Sequence, residues 1–190
     1  MKKLIFTIFA LVFAFGFQAG NVSAQMMKDG GNPMVGGAAM YKQKDIIDNA
    51  VNSKDHTTLV AAVKAAGLVE TLKGKGPFTV FAPTNSAFNA LPAGTVETVL
   101  KPENKALLTK VLTYHVVAGK MDSKAIMKAI KKGNGKATLT TVSGDTLTAS
   151  MDGNTLVLTD EKGGMSRVSI ADVRQSNGVI HVVDTVLMPN

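Results

Sequence analysis

The spacing of apolar residues changes once along this chain, and the change limits which folds the chain can adopt. Up to about residue 132, apolar residues recur at three- and four-residue steps, which is the spacing of amphipathic helices. After Lys136 they alternate with polar residues in short runs separated by Gly- and Asn-containing turns, which is typical of β-strands. Helices followed by antiparallel strands indicate an α+β fold rather than an alternating α/β fold.

Two earlier runs are rich in β-branched and aromatic residues and also predict strands, Phe78–Ala82 and Thr113–Val117. Both faces of the last predicted strand, Val179–Met188, are largely apolar. A strand with two apolar faces is buried on both sides, so we expect it to lie in the centre of the sheet. Asn177 and Gly178 before it predict a two-residue hairpin turn with positive φ angles.

The first 24 residues have the features of an export signal. Lys2 and Lys3 precede an apolar run at residues 4–17, and Val22-Ser23-Ala24 resembles a signal-peptidase site. The run is shorter than the roughly 20 apolar residues that span a bilayer. We therefore expect cleavage after Ala24 and a secreted or periplasmic protein without a transmembrane anchor.

Residues 25–40 are rich in Gly and Met and lack periodicity, which predicts a flexible lead before a single domain at residues 41–190. Thioether ligands for Cu(I) are an alternative role for the methionines of this lead. Their spacing is irregular and no histidine lies nearby, which favours a linker. The chain has no cysteine, so the domain depends on packing for its stability and has no thiol chemistry.

No catalytic or metal-binding motif is present in the sequence. The three histidines, His56, His115 and His181, do not have HxxxH or HExxH spacing, although folding could bring His115 and His181 together. Ser86 is not part of a G-x-S-x-G motif. We therefore expect no cofactor, no metal site and no enzymatic activity.

One predicted helix, Asp122–Lys132, carries four outward-facing lysines, Lys124, Lys128, Lys131 and Lys132. The net charge of the whole chain is +7, so an anionic partner is favoured in general. The four lysines are either a solvated helix face or a contact surface for anionic polymer or lipid. The chain has no tryptophan and few aromatic residues that could stack on bases, so we expect no nucleic-acid partner.

Three segments, residues 76–88, 112–117 and 177–189, occur in an order and spacing that resemble the conserved blocks of the fasciclin (FAS1) domain family. The resemblance extends over nearly all of residues 41–190. It implies a compact β-sandwich or wedge with helices packed on it. It also implies an exported or surface-attached module that functions in adhesion or matrix contact.

The resemblance further implies a role for Tyr114 and His115, because the Tyr-His region of animal fasciclin domains is associated with receptor contact. Their apolar neighbours, such as Leu112 and Val116, instead indicate that both side chains support the core. The expected function is non-catalytic cell adhesion or envelope interaction, with an envelope or matrix polysaccharide or a surface protein as partner. A secreted or periplasmic binding protein for a small hydrophobic or anionic ligand is the alternative. The sequence leaves the oligomeric state open.

Overall fold

The structure of the chain is a computed structural model that describes residues 28, 29 and 31–190. The predicted export signal at residues 1–24 lies outside the described residues. Within them the helices are α1 (Ile46–Ala50), α2 (Thr57–Ala66), α3 (Val69–Lys73), α4 (Asn85–Asn89), α5 (Thr95–Val99), α6 (Lys105–Tyr114) and α7 (Ser123–Lys132). The strands are β1 (Lys28–Asp29), β2 (Asn32–Val35), β3 (Ala38–Ala39), β4 (Phe78–Pro83), β5 (Val116–Ala118), β6 (Lys136–Thr140), β7 (Thr146–Asp152), β8 (Thr155–Thr159), β9 (Met165–Gln175) and β10 (Gly178–Val183).

The main sheet has the strand order β5-β4-β10-β9-β8-β7-β6. Its neighbouring strands are antiparallel except for β4 and β10, which run parallel. The two ends of the sheet meet, because the Val142 amide donates to the Val116 carbonyl at 2.7 Å and Val117 pairs with Thr141. The sheet is therefore nearly closed, which covers edges that an open sheet would leave unpaired. The predicted α+β class, with helices mostly N-terminal and antiparallel strands mostly C-terminal, is confirmed.

Two apolar cores lie on opposite faces of β4 and β10, whose residues alternate between them. One core joins Ile180 and Val182 to helices α1, α2, α3, α4 and α6. The other joins Val183 to Ile126 of α7 and to the inner side of β6, β7 and β8. Every residue of β10 is buried and the strand lies between β4 and β9, so its predicted central position is confirmed. The predicted end at Met188 is wrong, because the strand ends at Val183. No helix of the described residues is both long enough and apolar enough to cross a bilayer.

The strand predicted at Thr113–Val117 is wrong in its first half. Helix α6 continues through Tyr114, and the strand begins at Val116. The Thr113 hydroxyl donates to the Thr109 carbonyl at 2.7 Å, a contact between residues one helical turn apart. Packing of the α6 face against the core therefore outweighs the strand preference of these β-branched and aromatic residues.

Residues 32–40 are ordered and packed on the domain, whereas the sequence predicted a flexible lead. They form β2 and β3, and Val35 and Met40 are 4% and 2% exposed. The Lys54 amide donates to the Gly36 carbonyl at 3.0 Å, which attaches this hairpin to the domain. The glycines permit the turn, since Gly36 and Gly37 both have positive φ. Met40 is therefore a core residue and not part of a mobile methionine segment.

The turn between β9 and β10 also differs from the prediction, because neither Asn177 nor Gly178 has a positive φ. Gln175 and Gly178 are paired, so Ser176 and Asn177 form the two-residue loop. A Cβ atom on Gly178 would lie 2.2 Å from the Phe78 carbonyl oxygen of the neighbouring strand. Glycine is required here because two backbones approach closely, and not because of its conformational freedom.

We expect Gly178→Ala to lower the free energy of unfolding by about 3 kcal/mol, because the added methyl overlaps the β4 backbone. Urea denaturation measures the change. Gly153→Ala is the comparison, since Gly153 has a φ of +58° but nothing within 4 Å of its Cβ position. That variant should lose only about 1 kcal/mol through backbone strain. Equal losses in the two variants would contradict the close-approach explanation.

Candidate functional site

Tyr114 lies in the interior, where it joins α6 to the second half of the sheet. Its side chain is 0% exposed. Its hydroxyl donates to the Thr146 carbonyl at 2.8 Å and accepts from the Glu161 amide at 3.3 Å. Burial raises the pKa of Tyr114 to about 12, and nearby carboxylates add to that rise. The phenol is therefore a neutral, fully bonded group that is not presented to a partner.

His115 is 3% exposed, and both of its ring nitrogens have backbone partners. The Leu187 amide donates to Nε2 at 3.0 Å, so Nδ1 carries the proton and donates to the Val111 carbonyl at 2.8 Å. Protonation would place a hydrogen on Nε2 facing the Leu187 N–H. Burial lowers the pKa of His115, in agreement with a neutral ring.

His181 is 0% exposed on β10 and stacks on Phe81 with ring centroids 5.6 Å apart. Its Nδ1 accepts from the Asp172 amide at 3.4 Å, and its Nε2 lies 2.9 Å from the Met121 carbonyl oxygen, to which it donates. Burial lowers the pKa of this ring as well. The ring therefore joins β10, β9 and the segment before α7. His115 has a different set of partners, so the two rings do not act on a common atom.

His56 is the third buried histidine. Its Nδ1 lies 2.8 Å from the Ser53 hydroxyl. Its Nε2 makes no hydrogen bond of good geometry to a described residue, although the nearby Ala82 backbone favours the protonated ring. Burial is the largest cause of the lowered pKa of His56. Across the described residues no three His, Asp or Glu side chains are grouped in a way that could hold a metal ion.

Ser123, Asp172 and His181 lie near one another, but they are not connected as a catalytic triad. The Ser123 hydroxyl donates to the Asp172 carboxylate at 2.5 Å, whereas His181 accepts from the Asp172 backbone amide. A serine nucleophile must donate its proton to the imidazole, whose far nitrogen is oriented by the carboxylate. Here the hydroxyl faces the carboxylate and both ring nitrogens have backbone partners. The arrangement fixes the start of α7 against β9.

Asn177 is a structural residue that the sequence pattern did not reveal. Its Oδ1 accepts from the Ile46 amide at 3.1 Å, and its Nδ2 donates to the carbonyls of Leu72 and Gly74 at 2.8 and 2.9 Å. One side chain therefore joins the start of α1, the end of α3 and the β9–β10 turn. An Asn-Gly pair in sequence indicates a turn, but it carries no sign of contacts to residues far away in the chain.

The four predicted lysines of α7 form an exposed surface, which we call the basic face (Lys124, Lys128, Lys131 and Lys132). The opposite side of α7 is buried through Ile126 and Ile130, which are 0% and 4% exposed, so the predicted orientation of this helix is confirmed. Asp122 accepts from the Ala125 amide at 3.0 Å and caps the helix. None of the four lysines forms an ion pair within the part of the chain that the structure describes.

The sequence places the chain among known proteins. The profile of the Fasciclin domain matches residues 54–189. The chain is 44% identical over 168 residues to protein sll1483 of Synechocystis sp., a match that covers 87% of this chain and 85% of that protein. It is 37% identical over 145 residues to the immunogenic protein MPB70 of Mycobacterium bovis, covering 74% of this chain and 66% of that protein.

The fold has a solved counterpart in the FAS1 domain pair of the insect cell adhesion molecule Fasciclin I. The two structures superpose with a TM-score of 0.68 at 16% sequence identity, covering 76% of this chain and 51% of the other. At this identity the likeness concerns the fold alone. The profile match, the two relatives and the shared fold agree on one assignment. The chain belongs to the fasciclin (FAS1) domain family.

Proposed function

We propose that this protein is an exported, non-catalytic fasciclin domain that attaches to an anionic polysaccharide of the envelope or matrix through the basic face of α7. The observation that carries the proposal is the contrast between the two predicted sites. Tyr114 and His115 are 0% and 3% exposed, whereas all four lysines of the basic face are exposed. A partner that approaches the folded domain meets the lysines and not the Tyr-His pair.

The spacing of the lysines suits a linear polymer. Lys124, Lys128 and Lys132 are four residues apart and lie along one side of the helix. Such a row can follow the repeating carboxylates or sulfates of a polysaccharide chain. No ion pair to a described carboxylate has to be broken before they bind. Exposed charges interact through a screened field, so this attachment should weaken steeply as salt is added.

Export and family membership support the same role. Residues 1–24 have the composition of an export signal, and an anionic polysaccharide is a partner found outside the cytoplasm. The solved counterpart of the fold comes from a cell adhesion molecule. Nucleic acid fits the basic face less well, because Met127 is the one large apolar side chain exposed on α7 among the described residues and no aromatic ring is available there for stacking.

Replacing the four lysines of the basic face by glutamine should weaken binding to alginate, a carboxylated polysaccharide, by roughly tenfold or more at low salt. The free energy of unfolding should change little, because these side chains are exposed and form no ion pair with a described carboxylate. Biolayer interferometry across a salt series measures the affinity and its salt dependence. The variant should also show a smaller salt dependence than the unchanged protein, since fewer ionic contacts remain.

A second protein with the same change in net charge is the control. It carries glutamine at four exposed lysines outside α7, namely Lys54, Lys64, Lys101 and Lys162. The proposal requires this control to bind alginate nearly as well as the unchanged protein. An equal loss in both variants would show that net charge alone attracts the polymer. Unchanged binding in both variants would show that alginate is held elsewhere, and a protein partner would then be the next class to test.

A further inference from the structure

A pocket between the helices and the sheet has no role in the proposed attachment to polysaccharide. It is enclosed by α1, α2, α3 and α6 on one side and by β4, β5 and β10 on the other. Its volume is about 60 Å³, and residues such as Ile46, Val63, Leu112 and Ile180 form its walls. No residue of α7 lines it. Occupation of this pocket is therefore independent of the basic face.

The polar side chains that line the pocket are Thr71, Thr113 and His115. Both nitrogens of His115 are bonded to backbone groups, the Val111 carbonyl and the Leu187 amide. The Thr113 hydroxyl donates within α6, to the Thr109 carbonyl at 2.7 Å. Thr71 is exposed and belongs to the rim. The interior therefore offers no free side-chain donor or acceptor, and an apolar occupant fits it better than water, which needs two or more polar partners.

The pocket is open to solvent on the side where its lining residues are exposed. Val142 is 46% exposed although it is a large apolar residue, and Val60 and Thr113 are half-buried beside the enclosed space. An occupant can therefore enter without unfolding the domain. It can also extend past the mouth, where Val142 offers further apolar surface.

The volume of the pocket limits which molecules can occupy it. Cavities that bind a benzene ring in protein cores measure about 150 Å³, more than twice the 60 Å³ found here. The enclosed volume is too small for a whole benzene ring, whereas the terminal carbons of a hydrocarbon chain can occupy it while the rest of the chain passes through the open side. The terminal carbons of a chain in this space would make dispersion contacts with the apolar atoms of its walls. We infer that this pocket binds the end of a hydrocarbon chain, whose remaining length and polar head extend into solvent.

The test uses n-hexane as the probe and the methyl NMR signals of the folded protein as the readout. Hexane should shift the methyl signals of Ile46, Val63 and Ile180 and leave those of the second core, such as Ile126, unchanged. Benzene should shift them much less. No hexane-dependent shift, or shifts spread evenly over both cores, would overturn the inference. A larger response to benzene than to hexane would overturn the assignment to a chain.

Variants locate the binding site. Val63→Ile adds a methyl group to the pocket wall and should abolish the hexane response, whereas Val51→Ile makes the same change at a residue that is 47% exposed and outside the lining. Ala50→Val fills the pocket from α1 and provides a second test if Val63→Ile does not fold. Hexane binding that is retained in both filled variants would show that hexane is bound elsewhere and would overturn the inference.

Discussion

Lowering the pH from 7 to 5 is expected to destabilise this domain steeply. The pKa values of His56, His115 and His181 are all lowered from 6.5, with burial as the largest cause. The folded protein therefore keeps the rings neutral, while the unfolded chain binds protons as the pH falls through 6.5. The stability is complete above about pH 7 and is lost as the pH falls from 6.5 towards the folded pKa values.

The size of this effect follows from the number of protons taken up on unfolding. Each ring that stays neutral in the fold contributes a slope of about 1.4 kcal/mol per pH unit, so three rings contribute up to about 4 kcal/mol per pH unit. Urea denaturation at half-unit steps between pH 7.5 and pH 5 measures the slope. His181→Gln should reduce it by about one third, because one titrating group is removed. A stability that stays flat over this range would show that the rings bind protons within the fold.

Asn177→Ala is expected to lower the free energy of unfolding by about 4 kcal/mol. The substitution removes one acceptor and two donors, which bond to Ile46, Leu72 and Gly74. The bonds to Ile46 and Leu72 are buried and the bond to Gly74 is part-buried, so at least two backbone groups lose their partners away from water. An unsatisfied buried group costs more than the net value of the bond it once made. Urea denaturation again measures the change.

Asn52→Ala is the matched control for this prediction. The Asn52 amide makes one exposed hydrogen bond, to the Asp48 carbonyl at 2.7 Å, so the same truncation should cost about 0.5 kcal/mol. If Asn177→Ala costs no more than Asn52→Ala, the contacts of Asn177 do not stabilise the junction of α1, α3 and β10. A large loss at Asn177 alone would establish the side chain as the link between the first and last segments of the domain.

The local spacing of apolar and charged residues predicted much of this fold, because it indicates which side of a helix or strand is buried. The apolar faces of β10 predicted a central strand, and the lysine spacing of α7 predicted its exposed side. The apolar neighbours of Tyr114 and His115 indicated that both rings are internal, as the structure shows. Each of these properties depends on residues close together in the sequence.

The features that sequence spacing missed depend on contacts between distant residues. Asn177 bonds to Ile46, 131 positions away, and this contact has no counterpart in the local Asn-Gly pattern. The hydrogen bond between Val142 and Val116 that closes the sheet is likewise not predicted by the periodicity of the sequence. The apolar pocket leaves no motif, because its walls come from four helices and three strands whose apolar residues are indistinguishable from core residues. Tyr114 was assigned to a strand because its type favours strands, whereas packing keeps it in α6.

Under the proposed function, the Tyr-His pair and the basic face have different tasks. The pair stabilises the interior, since Tyr114 bonds to Thr146 and His115 to Leu187. In the proposed function the basic face carries recognition, and we expect it to contribute little to stability because its four lysines are exposed. If so, a variant of the Tyr-His pair should change the free energy of unfolding, and a variant of the basic face should change the binding affinity.

The most direct measurement compares alginate affinity and the free energy of unfolding for Tyr114→Phe and for the variant with glutamine at all four lysines of the basic face. Tyr114→Phe removes only the hydroxyl, which bonds to Thr146 and Glu161, so the protein should fold with reduced stability. We predict that Tyr114→Phe keeps its affinity for alginate, and that the lysine variant keeps its stability and loses affinity. A folded Tyr114→Phe protein that no longer binds alginate, beside a lysine variant that still does, would contradict this division of tasks.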